Sequence, residues 1–186
     1  MTIGRTPEGR WTRHVGRLRR NEHAAVAVEF ALLLPFLLVL YTGAIELLDD
    51  ITVNRKVGLT SQTITNIVSQ YATISVSTQM PDVFAASSAV MMPYGGKVTI
   101  IVSCLSIDAK GKATVSWSQS LNGTARVSGS TLTIPAALAV PNTSLVLGEA
   151  SYKYTPFLDF IHVGALTFSA TNYISPRSST AIGLVS

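Results

Sequence analysis

An apolar run of 25 residues, 24–48 (AAVAVEFALLLPFLLVLYTGAIELL), constrains this chain more than any other stretch. As a helix it measures roughly 37 Å, enough to cross a hydrocarbon core of about 30 Å with some tilt. Its fourteen Leu, Ile, Val and Phe residues favour insertion by on the order of 6 kcal/mol. Glu29 and Glu46 lie toward its two ends, where each costs less than the roughly 3 kcal/mol of a carboxylate at the bilayer centre. Insertion therefore wins. Pro35 removes one helical hydrogen bond and is expected to kink the helix, which membrane helices tolerate. A cleavable secretory signal is the competing reading, with Thr42-Gly43-Ala44 as a weak small-residue cleavage site. The length of the run, the early Glu29 and the helical pattern that continues beyond it weigh against that reading.

Charge gives the run a direction. Residues 1–24 hold six arginines against Glu8 and Glu22, a net +4, whereas residues 25–186 hold eight bases and eight acids. The basicity is thus a property of the tail, and no nucleic-acid partner is implied. Residues 1–23 read as a disordered, basic cytoplasmic leader. Arg17, Arg19 and Arg20 stand beside the apolar run, and only Arg55 and Lys56 follow it closely, so the N-terminus is expected inside and the C-terminus outside. The same arginines are suited to the headgroups of inner-membrane lipid.

Past the run, helical spacing persists. Val53, Val57, Thr60, Ile64, Ile67, Val68 and Tyr71 recur every three or four residues, with Asn54, Arg55, Lys56, Gln62, Thr63 and Asn66 on other faces. One helix from about residue 22 to about 71 is predicted, with a membrane half (24–48) and an amphipathic half (49–72). Residues 73–186 are expected to form one small extracytoplasmic α+β domain with an antiparallel sheet. A short helix is expected over 81–92, opened by Pro81 and stopped by Pro93-Tyr94-Gly95-Gly96. Strands are expected over 97–107, with Val98, Ile100, Val102 and Cys104 on one face, and over 112–119, with Ala113, Val115 and Trp117 inward. One helical turn is expected at 134–138. A second strand pair is expected over 144–154 and 165–174, and the Ser- and Thr-rich C-terminal tail is expected to be loose.

No catalytic arrangement emerges, and an enzyme is the least favoured class. No motif joins the Ser, His and Asp residues. Asp159 and His162 read as a surface pair, and the lone Cys104 as a small hydrophobe on a strand. No cofactor or metal site is expected. Trp117, Tyr152 and Tyr154 read as packing residues, with ligand stacking as the alternative. Asn122-Gly123-Thr124 and Asn142-Thr143-Ser144 match the glycosylation acceptor pattern, which matters only in a eukaryotic secretory route.

Glu29 is the exception. An ionisable group five residues into an apolar helix must find a partner or neutralise itself, which makes it a functional residue by default. Either Arg19, Arg20 and water rescue it at the inner headgroup level, or a counter-charge at its own depth does. The stretch 19–35, RRNEHAAVAVEFALLLP, resembles the N-terminal signature of TadE-like proteins, pilin-like components of bacterial tight-adherence pilus systems. That signature is a basic leader, a small residue at the processing point, Ala-rich residues, Val-Glu-Phe-Ala, and a Leu run with Pro. The Trp117-Ser118 strand, the Glu149–Tyr154 stretch leading to Pro156, and Pro176-Arg177 are also similar to the family's periplasmic part.

The resemblance implies a pilin-like fold and a role as a minor pilin or pilus assembly protein, anchored in the inner membrane with a periplasmic domain. It implies cleavage between Ala24 and Ala25 by a prepilin peptidase, which makes Glu29 the fifth residue of the mature chain and sets it opposite the new amine of a neighbouring subunit. Glu29, Phe30 and Pro35 become assembly and helix-packing residues, and the partners are other pilin-like subunits and the assembly machinery. One departure is that the family usually has Gly before the cut, where Ala24 stands here. The rival reading is a bitopic or secreted envelope binding module outside pilus assembly, with the Trp117 and Tyr152 region as its ligand face.

Overall fold

The computed structural model describes residues 22–94, 97–155 and 164–186. The leader with Arg17, Arg19 and Arg20 lies outside the described residues, as do Asp159 and His162. The fold is α+β: a long apolar N-terminal helix followed by a five-stranded antiparallel sheet. Helix α1 (Glu22–Ser69) runs unbroken through Pro35. Two compact units divide within it, residues 1–47 and 48–186.

The described part of the first unit is helix alone. Val26, Phe30, Leu32, Phe36 and Leu40 are 58–71% exposed, and the most apolar window of the helix has no buried residue. Large side chains normally gain about 1.5–3 kcal/mol each from burial. Fourteen of them left in water would forfeit on the order of 20 kcal/mol, more than a typical domain's whole stability. This helix is long and apolar enough to cross a membrane, and inside the run Thr42 donates its hydroxyl to the Leu38 carbonyl at 2.9 Å.

The second unit forms around the remainder of α1. Val53, Val57, Thr60, Ile64 and Val68 are fully buried, and Ile67 and Tyr71 pack at the margin, as the three- and four-residue spacing predicts. Strand β1 (Thr73–Ser75) and helix α2 (Gln79–Ala89) follow. Helix α2 starts two residues before Pro81 and ends at Ala89, short of the expected boundary at 92. The Gln79 side chain accepts the Ser75 amide at 2.9 Å, and the chain then tightens into turns through Met91 and Met92. Pro81 sits in the first turn, where its missing N–H costs nothing.

Strands β2 (Thr99–Ile107), β3 (Ala113–Leu121), β4 (Thr131–Leu132), β5 (Ser144–Tyr154) and β6 (Leu166–Ile174) form the sheet in the order β4-β3-β2-β5-β6. The Asp108 carboxylate accepts the Lys110 and Lys112 amides and closes the β2–β3 turn. A single 3-10 turn occupies Ala136–Leu138. On the helix side, Val98, Ile100, Val102, Cys104, Trp117, Val146, Ala150, Tyr152 and Tyr154 join the buried face of α1 in one core. On the other side, Leu105, Ile107, Ala113, Val115, Leu145 and Leu147 form a second cluster covered by Leu132, Ile134 and Leu138.

Two expectations change here. Ala113, Val115 and Trp117 do not share a face, because the register between β2 and β3 shifts from Cys104–Trp117 to Leu105–Val115. Ser116 is the extra residue of a bulge, so Trp117 enters the first core while Val115 and Ala113 enter the second. The C-terminal tail is not loose either. Strand β7 (Gly183–Val185) pairs in parallel with β1, and Ile182 is buried. The Trp117 indole N–H donates to the Ile182 carbonyl at 2.7 Å. Just before this, the Arg177 amide donates to the Ser69 carbonyl at 2.8 Å and Ser178 to the Gln70 carbonyl at 2.8 Å, satisfying the end of α1.

Helix and sheet approach closely at Gly148. The Ser61 hydroxyl donates to the Gly148 carbonyl at 2.8 Å. A Cβ added at Gly148 would stand 2.6 Å from Thr65 Cγ2, 2.9 Å from Ile64 Cγ2 and 2.9 Å from the Ser61 carbonyl oxygen. Two of these neighbours are buried inside a packed helix and the third is backbone, so the contact cannot relax cheaply. Gly148→Ala is expected to destabilise residues 48–186 by about 1–3 kcal/mol, the usual cost of overpacking, measured as a lowered urea midpoint with an unchanged slope.

Candidate functional site

Glu29 lies on an exposed surface of α1, with Val26 on the preceding turn and Leu32 and Leu33 on the next. Phe30 is 58% exposed beside it. Between Glu29 and Arg55 the helix carries no Lys or Arg. Among the described residues Glu29 has no ion-pair partner. Ala24 and Ala25 belong to the helix backbone four to five residues before Glu29, so Ala25 falls on the adjoining turn of the same face. Pro35 lies six residues beyond Glu29, where the Pro ring denies the Ala31 carbonyl its usual partner. What this arrangement can do chemically is limited and specific. It presents one carboxylate within an apolar surface that demands cover, and a cation brought to that depth would meet it in a low dielectric, where the attraction is strong.

The remaining candidates turn out to be structural. Trp117 and Tyr152 are 7% and 8% exposed, Trp117 with its indole N–H bonded to Ile182. The ligand face expected for a binding module is therefore part of the core. Tyr152 meets Tyr94 with ring centroids 5.7 Å apart, and Tyr154 meets Phe168 at 6.5 Å. Asn122 is not a free acceptor amide, since its Nδ2 donates to the Val98 carbonyl at 2.9 Å. The Arg126 guanidinium forks onto Glu149, Nε to Oε2 at 2.9 Å and Nη2 to Oε1 at 2.6 Å. That hydrogen bond raises the Arg126 pKa further and leaves the pair on the outer face of the sheet. Among the described residues no group of His, Cys, Asp and Glu could hold a metal ion.

Sequence reasoning missed Ser61, Gly148 and Asn172, which together with Arg177 clasp α1 to the domain. Asn172 donates its side-chain amide to the Thr65 hydroxyl at 2.6 Å, and Arg177 donates to Asn66 Oδ1 at 3.0 Å. One signal was present, since a Gly in a strand interior marks close backbone approach.

No protein-family model, curated protein or solved structure matches this chain. A long apolar N-terminal helix packed against an antiparallel sheet is nonetheless a pilin-like architecture.

Cys104 is 1% exposed in the first core. Burial pushes its thiol pKa up, and a hydrogen bond with the Ile182 backbone opposes this only in part. A thiol whose folded pKa exceeds the unfolded value contributes stability that is complete below the unfolded pKa and declines as the pH rises beyond it, roughly above pH 8.5. Native protein at pH 8 is therefore expected to leave Cys104 unmodified by a thiol-reactive chromophore, which reacts promptly once urea is added. Full labelling of the folded protein would contradict the buried assignment.

Proposed function

We propose that this protein is a minor pilin or pilus assembly protein of a tight-adherence, type IV-like pilus system, a TadE-like component held in the inner membrane. The observation that carries the reading is Glu29, a carboxylate presented within an exposed apolar helix that needs a cover. Hydrophobicity accounts for a membrane helix, and only the carboxylate at this depth points to assembly with like helices. The pilin-like architecture supports the reading, as does the signature 19–35.

On this reading the leader is cytoplasmic and the sheet domain periplasmic. The apolar helix is stored in the bilayer and transfers to a bundle of related helices, where the N-terminal amine of a neighbouring subunit meets Glu29. Cleavage between Ala24 and Ala25 by a prepilin peptidase supplies that amine. The protein acts through its partners and is not an enzyme.

The N-terminal sequence and mass of the mature protein, isolated from membranes, test this directly. A start at Ala25 is expected. An intact Met1 identifies a permanent anchor, and a start near Ile45 identifies a secreted domain. In the native host, Glu29→Ala is expected to insert at wild-type levels and to abolish piliation, scored by electron microscopy of surface filaments. Normal piliation in that strain would remove Glu29 from the mechanism.

A further inference from the structure

The end of the 48–186 unit at which its own chain begins can be identified from its packing. Along α1, Val53 lies five residues past Leu48, about 7.5 Å at the helical rise, and it is already fully buried by the domain. The headgroup layer on one side of a bilayer is itself roughly 5–8 Å thick. If residues 24–48 span a membrane, this end of the domain therefore meets the headgroups.

The strands show what else lies there. Gly148 packs on Ser61 and Thr65, while Tyr152, further along β5, contacts Tyr94, whose ring lies 5.7 Å from Lys56 Nζ. Strand β5 therefore runs back toward the start of the unit. Thr99 pairs with Ser151, so β2 begins at the same end. Lys97 stands two residues before Thr99 and Lys153 two residues after Ser151, and both are exposed. Arg55 is exposed beside Lys56, and Lys56 donates to the Met92 carbonyl. The Met92 side chain is 63% exposed. Burial, and then the Asp49 carboxylate, raise the Tyr94 pKa.

Four of the eight bases in residues 25–186 thus collect at one end, against Asp49 and Asp50 among the described acids. Bases gathered next to an exposed Met and a Tyr with one wet edge match the chemistry of an anionic membrane surface.

We infer that this end is a phospholipid-binding foot: Arg55, Lys56, Lys97 and Lys153 engage anionic headgroup phosphates, and Met92 and Tyr94 enter the interfacial layer of the same bilayer. The inference rests on residues 24–48 crossing that bilayer, and the test separates the two. Full-length Cys104→Ala protein is reconstituted into phosphatidylglycerol–phosphatidylcholine vesicles with a single fluorophore-labelled cysteine. The three variants are Leu37→Cys, Met92→Cys and Val140→Cys. Val140 is 54% exposed and precedes β5, at the opposite end.

Nitroxide on lipid headgroups is expected to quench the label at 92 and not at 140, while nitroxide deep on the acyl chain quenches the label at 37. Quenching at 37 with equal signals at 92 and 140 overturns the foot and leaves the membrane segment standing. No quenching at 37 overturns both. Lys97→Glu with Lys153→Glu, checked for native circular dichroism, is expected to lose the headgroup quenching at 92. Full retention would overturn the electrostatic assignment.

Discussion

The hydrogen bond from the Ser61 hydroxyl to the Gly148 carbonyl holds the amphipathic part of α1 against the middle of β5. Strand β5 is an inner strand of the sheet, with β2 on one side and the edge strand β6 on the other. A helix backbone can come so near a strand only where side chains are small or absent. Gly148 removes the obstacle on one side, and Ser61 and Thr65 keep the other side narrow. These hydroxyls are buried, and an unsatisfied buried hydroxyl is costly. Ser61 bonds to the strand, and Thr65 bonds to the Ser61 carbonyl while accepting from Asn172. These hydrogen bonds tie helix to sheet and offset the cost of taking the hydroxyls out of water.

A second constraint is that α1 changes character along its length. From 24 to 48 it is apolar apart from Glu29, Thr42 and Glu46, and large side chains stand exposed around it. From Val53 onward it buries one stripe and leaves Arg55, Gln62 and their neighbours in water. A helix satisfies its own backbone hydrogen bonds, so it can pass from a medium that offers no partners to one that does without changing conformation. The proposed transfer from bilayer to filament depends on that property: the backbone need not rearrange when the cover on its apolar surface changes from lipid to neighbouring helices.

Much of the domain was legible locally. The 144–154 strand coincides with β5, and the stripe Val53, Val57, Thr60, Ile64 and Val68 is the buried one, because alternation and three-to-four spacing report which side of an element faces away from water. Three features were not legible. Trp117 looked like a partner of Val115 until the bulge at Ser116 moved it to the other face. The C-terminal segment looked like a tail because Gly183–Val185 is too short to show a pattern and pairs with a strand more than a hundred residues earlier. Gly148 sits in β5 with no pattern around it to show that the Ser61 hydroxyl reaches its carbonyl. The candidate residue Glu29 was legible because a charge within an apolar run stands out against its neighbours.

By itself, the sequence determined the apolar helix, its continuation as an amphipathic one, and the α+β succession of strands and turns, since each follows from patterns within a few consecutive residues. Only the tertiary structure decided which face Trp117 occupies, how the chain end closes over β1, and that helix and sheet meet at Gly148. It also decided that Arg55, Lys56, Lys97 and Lys153 share one end of the domain. These depend on register and on contacts between residues far apart in the chain, where the energy resides in how two surfaces fit and leaves no periodic trace in either segment.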